Sequence, residues 1–104
     1  MENNRNMKEL DKLEQWLHKH GYDYKRIDRD AENYEVEGFT VPIAFERHQI
    51  IVYCDNGILF DAICHYGSYG YDQGLLEVMG NIVQVNDTVE GWLTADEIIE
   101  RLEG

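Results

Sequence analysis

The sequence predicts an α+β fold: an N-terminal helix, an antiparallel sheet of three to four strands, and two C-terminal helices. Three observations carry this. Leucines recur at helical spacing over the first twenty residues. Two β-patterned runs flank Asp55-Asn56-Gly57. Thr94 and Glu97 stand at capping-box spacing ahead of a second apolar stripe. The chain has 104 residues, which suits a single domain over 1–104. With 43% hydrophobic residues and one proline it is composed to fold, despite a net charge of −12.

The first helix is expected over residues 5–20. Met7, Leu10, Leu13 and Leu17 form its apolar stripe, and Gly21 is its stop signal. Residues 22–30 alternate weakly and read as a charged edge strand. Residues 31–38 read as a loop, and residues 39–45 as a strand in which Pro42 marks an edge or a bulge.

The runs His48 to Cys54 and Ile58 to His65 form the clearest hairpin, with two registers open. A two-residue Asn-Gly turn pairs Cys54 with Leu59; a three-residue turn pairs Cys54 with Ile58. The second gathers Ile50, Val52, Cys54, Ile58, Phe60, Ala62 and Cys64 on one face, and this cleaner segregation is favoured. A glycine–tyrosine loop follows, Tyr66 to Tyr71. Asp72 is a plausible N-cap for a helix carrying Leu75, Leu76 and Met79. Residues 84–91 read as a connector, and the last helix is expected from Ala95, with Ile98, Ile99 and Leu102 on its stripe.

Several chemistries are disfavoured. There is no Cys-x-x-Cys pair for structural zinc. Six residues of strand separate Cys54 and Cys64 by about 20 Å, too far for a disulfide or a shared metal. The expectation is two buried thiols and two surface or edge histidines, His48 and His65, with His48 and Cys64 close enough to meet. The loop Gly67 to Gly70 lacks the lysine and hydroxyl of a phosphate-binding P-loop. No carboxylate pair stands out for acid–base catalysis. The chain is therefore expected to be no enzyme and to need no cofactor or metal.

The charge distribution says more. Residues 1–47 hold 8 basic and 11 acidic groups; residues 48–104 hold one basic and 10 acidic groups. No Lys or Arg lies between Arg47 and Arg101. That balance opposes direct nucleic-acid binding. Duplex DNA carries about one charge per 100 Å² of its surface. This chain, exposing about 6,000 Å² when folded, averages roughly one net charge per 500 Å². Mimicry of nucleic acid would require the acids of 87–103 to converge. The candidate electrostatic contacts are Asp87, Glu90, Asp96, Glu97, Glu100 and Glu103. Tyr66, Tyr69 and Tyr71 are candidate anchors, since tyrosine is enriched at interface hot spots. No apolar run is long enough to cross a membrane, and residues 1–6 do not read as a secretory signal, so a cytoplasmic location is expected.

The run from His65 to Gly80, the segment Val89 to Ile98 and the strand His48 to Tyr53 resemble small proteins encoded by phages and prophages of Gram-positive bacteria. The likeness spans residues 48–102, and the glycine–tyrosine stretch is its most specific part. It implies no particular activity or catalytic residue. It implies a protein of a bacterial cytoplasm that binds and blocks a host protein with a basic surface. One such surface is the nucleic-acid channel of a CRISPR effector, as with anti-CRISPR inhibitors. Two alternatives stand beside this. One is a small ligand- or metal-binding module using the Gly67–Gly70 loop or His48 with Cys64. The other is a self-associating phage accessory component, with the tyrosine loop or the Pro42 strand as the contact.

Overall fold

A computed structural model describes residues 7–104. The first helix, α1, spans Lys8–Lys19 and buries Leu10, Leu13 and Leu17, as the spacing predicts. Arg5 and Asn6 of the expected helix lie outside the described residues. Gly21 follows with φ +76°, the left-handed stop that glycine supplies most readily.

The strands are β1 (Asp23–Arg29), β2 (Glu32–Val36), β3 (Phe39–Ala44), β4 (Arg47–Cys54), β5 (Gly57–Ile63), β6 (Leu76–Gly80) and β7 (Val89–Leu93), followed by α2 (Ala95–Glu103). Five of them form one antiparallel sheet in the order β1-β4-β5-β6-β7. β2 and β3 pair only with each other. The α+β class is as expected; the layout within it is richer in strands and poorer in helix.

Three of the expected elements change. The helix expected from Asp72 is a single 3-10 turn, Tyr71–Gln73, and a strand. Leu76 and Val78 point into the core while Glu77 and Met79 point away, so a period of two prevails over the apparent helical spacing of Leu75 and Met79. Residues 31–38 are not a loop. They hold β2 and a two-residue turn, Glu37-Gly38, with φ values of +49° and +86°; two positive values at a hairpin tip match the right-handed twist of its strands. The connector 84–91 already contains the start of β7.

The β4–β5 hairpin keeps the favoured register in its body, pairing Val52 with Phe60 and Ile50 with Ala62. At its tip a bulge moves the pairing to Tyr53 with Ile58 and Cys54 with Gly57. Cys54 and Ile58 therefore face solvent rather than the core. His48 is buried, not at the surface, and its Nδ1 lies 2.8 Å from Asp28 Oδ1.

Both helices cover the same face of the sheet. Ile50, Val52, Phe60, Ala62, Leu76 and Val78 meet the stripes of α1 and α2 there. Polar links fix the helices in place. Asp11 and Glu14 of α1 hold Arg26 of β1 at 2.7 and 2.8 Å. Glu9 Oε1 accepts from the Ala95 amide, at the positive end of α2, and Lys12 pairs with Asp96 at 3.0 Å. Thr94 and Glu97 form the expected capping box.

Gly80 closes the sheet against β5. A Cβ there would stand 2.6 Å from the Leu59 carbonyl oxygen and 2.7 Å from Phe60 Cα. Gly80→Ala is expected to lower stability by about 3 kcal/mol, the scale of overpacking and backbone strain combined. Urea denaturation checks this, and a loss below about 0.5 kcal/mol, the scale of a neutral surface change, would contradict the packing described.

Candidate functional site

The glycine–tyrosine loop joins β5 to β6 and is held by its own hydrogen bonds. Ser68 Oγ donates to the His65 carbonyl at 2.8 Å and accepts from the His65 amide at 3.1 Å. The amides of Gln73 and Leu75 both donate to the Gly70 carbonyl. The Tyr69 amide donates to Glu77 on β6, and the Tyr66 amide to Glu46.

β7 completes the site through a bulge. Leu76 pairs with Leu93 and Val78 with Glu90, so Gly91 and Trp92 together oppose Glu77. Trp92 takes φ +58°, a left-handed conformation rare for a bulky residue. The cost is of order 1–2 kcal/mol. What it achieves is placement: the indole stacks on Tyr69 with centroids 5.2 Å apart and planes 17° from parallel. Tyr66 meets Tyr71 edge to face at 6.1 Å. The four rings border an open pocket of about 410 Å³, with Asp72 and Gln73 also on its wall. Tyr66 is 74% exposed and Trp92 56% exposed, so these rings form a surface platform, not a core.

All three tyrosines named from the sequence thus belong to one cluster. Trp92 was missed as its fourth ring. The available signal was Gly91, whose absent side chain marks a close approach: a Cβ there would lie 2.3 Å from Tyr69 Cβ.

The acidic candidates divide. Glu90 is turned inward, forming a two-pronged pair with Arg101 at 2.7 and 2.9 Å, and it also accepts from the Gln84 amide. Arg101 holds the Glu90 carboxyl below its ordinary value. Asp96 is paired to Lys12, and Glu97 is occupied in the capping box. Asp87 lies on the loop before β7 and bonds to Thr88. Glu100 and Glu103 are exposed on α2 and, with Asp96, share one stripe by helical spacing. The acids of 87–103 do not converge on one face; a stripe of three does.

The thiol and histidine chemistry resolves similarly. Cys64 and His48 are cross-strand neighbours, the Cys64 amide donating to the His48 carbonyl. Burial, with Glu46 nearby, pushes the Cys64 thiol up to about 11, so it stays protonated at neutral pH and is a poor nucleophile. His65 Nδ1 accepts from the His48 amide at 3.1 Å. Among the described residues no three His, Cys, Asp or Glu side chains gather as metal ligands. No helix among them is long and apolar enough to cross a membrane.

Comparison with known proteins finds no matching family model, no similar curated protein and no similar solved structure.

Two predictions follow from this geometry. Gly91→Ala displaces Tyr69 from Trp92; in a Trp16→Phe background the remaining indole emission is expected to shift toward the red, and an unchanged spectrum would contradict the stack. The second concerns acid. Because the Glu90 pKa is depressed in the folded chain, its pair with Arg101 stabilises fully above the ordinary carboxylate value of 4.5. That contribution is lost as pH falls through the lower folded value. Glu90→Gln should lower stability at pH 7 and flatten its fall as pH drops below about 4.5, as read by thermal melts.

Proposed function

We propose that this chain is a non-enzymatic interaction protein that binds and blocks a basic surface on a partner protein. The observation that supports this most is the placement of four aromatic rings, three of them exposed, around one pocket in the half of the chain without Lys or Arg before Arg101. Tyrosine and tryptophan faces attract guanidinium and ammonium groups, by about 0.5–2 kcal/mol each. Asp72 on the pocket wall adds a carboxylate to receive the same cation. The rings supply the short-range contact that slows dissociation. The exposed α2 acids, Glu100 and Glu103, supply the long-range attraction that speeds encounter.

The resemblance to phage-encoded proteins favours a bacterial host protein as the partner, with the nucleic-acid channel of a CRISPR effector as the specific proposal. A ligand- or metal-binding reading has less support, because the one loop that suits it is walled by rings and a carboxylate rather than by cations or metal ligands.

The test is a pull-down with the tagged chain from a Gram-positive bacterial lysate expressing a type II CRISPR effector, eluted by rising salt. A basic protein retained at low salt is expected. Tyr69→Ala with Trp92→Ala should abolish retention. Glu100→Lys with Glu103→Lys should weaken it about tenfold and flatten its salt dependence. Glu97 is unsuitable for charge reversal, since its carboxylate caps α2. No specific retention, or retention indifferent to both pairs of substitutions, would overturn the proposal.

A further inference from the structure

β2 and β3 form an arm that, among the described residues, pairs with no other strand, and every residue from 30 to 43 is exposed. Pairing sets Tyr34 opposite Val41 and Val36 opposite Phe39, so these four share one face. Asn33, Glu35, Thr40 and Pro42 take the other. Phe39 is 73% exposed. A lone two-stranded hairpin is marginal in water, and one with a wholly apolar face is a surface that calls for a cover. The edge of β3 is guarded by Pro42 and a bulge at Ile43, which disfavours strand addition and leaves the face as the contact.

The five-stranded sheet has the matching deficit. Its helices cover one face only. The other carries Ile27, Ile51, Ile63 and Met79 together with Glu77 and with Asp61, whose carboxylate accepts from Gln49 at 2.6 Å; a trough of about 210 Å³ lies beside Ile51, Ile58, Leu59, Asp61 and Met79. Lys25, Arg29 and Arg47 border this face at β1 and β4, with Arg29 directly opposite Arg47. Like charges opposed across strands are unfavourable and favour a neighbouring anion. The arm segment 30–46 holds five carboxylates and no Lys or Arg. One chain thus carries both an acidic arm with an apolar face and a sheet face whose isoleucines and Met79 surround the Gln49–Asp61 pair, with a basic border at β1 and β4.

We propose that the partner of this surface is a second copy of the chain. The two copies form a two-fold dimer in which the apolar face of each arm lies on the open sheet face of the other. Arm carboxylates then meet Lys25, Arg29 and Arg47. The size is sufficient. The exposed arm side chains, with Ile43 and Phe45 at the base, offer roughly 600 Å² per copy on the scale of aromatic burial. Two reciprocal contacts, each covering a like area on the sheet, bury about 2,400 Å² in total, within the range of stable homodimer interfaces.

Sedimentation equilibrium tests this at about 100 μM chain, above the micromolar weak end for interfaces of that area. The expected mass is twice 12.2 kDa. Phe39→Asp with Val41→Asp, on the arm, should give monomers. So should Ile51→Asp on the sheet, and Lys25→Glu with Arg29→Glu should weaken the dimer at least tenfold. The last pair sits at the surface and keeps the test valid if Ile51→Asp unfolds the sheet, which circular dichroism reports. A monomeric wild type would overturn the proposal. So would a dimer that the arm substitutions abolish and the sheet substitutions leave intact, since arms packed only on each other give that result. No basic partner is present in the experiment, so its outcome is independent of the reading in the preceding subsection.

Discussion

The structure depends on one constraint: both helices lie on the same face of the sheet. The inward side chains of β4 and β5, Ile50, Val52, Phe60 and Ala62, are sealed by the leucines of α1 and by Ile98 of α2. The polar links reinforce this arrangement more than they create it. Arg26 joins β1 to Asp11 and Glu14, and Glu9 joins α1 to the start of α2. Among the described residues, the two short helices leave the second face without a covering element. Small domains have little apolar surface to spare, so an uncovered sheet face and an uncovered arm in the same chain are related facts.

The aromatic platform follows from the same sheet. β6 and β7 extend it beyond the β4–β5 hairpin, and their bulge turns Trp92 out toward the loop that precedes β6. The strain at Trp92 is tolerated because Leu93 and Ala95, immediately after it, are fixed in the core. Rigid strands thus position a loop whose rings remain at the surface, which is the usual division between scaffold and contact residues. The platform and the arm are built from different residues of the chain.

Much of the fold was legible in the sequence where pattern and burial agree. The leucine stripe of α1, the capping box of α2 and the body of the β4–β5 hairpin each follow from local spacing that the core then uses. The failures have physical causes. Val78 alternates with Leu76, but the nearby Leu75 and Met79 imitate a helical step. The β2 strand buries nothing, and its one short alternation, Asn33-Tyr34-Glu35-Val36, sits among turn-like and acidic residues that read as a loop. Glu90 and Trp92 depend on partners eleven and twenty-three residues away, Arg101 and Tyr69, and no short-range pattern encodes such pairings. The tyrosines were found because glycine–tyrosine repeats are conspicuous; their common pocket was not predictable without the bulge.

This chain carries more apolar surface than its own helices cover, and in the proposed dimer association covers the rest. Amide hydrogen exchange of the full chain at about 1 μM and about 100 μM tests it most directly, bracketing the micromolar range of weak interfaces. The account predicts that amides of β4 and β5 exchange slowly and equally at both concentrations, while those of β2 and β3 slow markedly at the higher one. Arm amides that exchange at the same rate at both concentrations would contradict it.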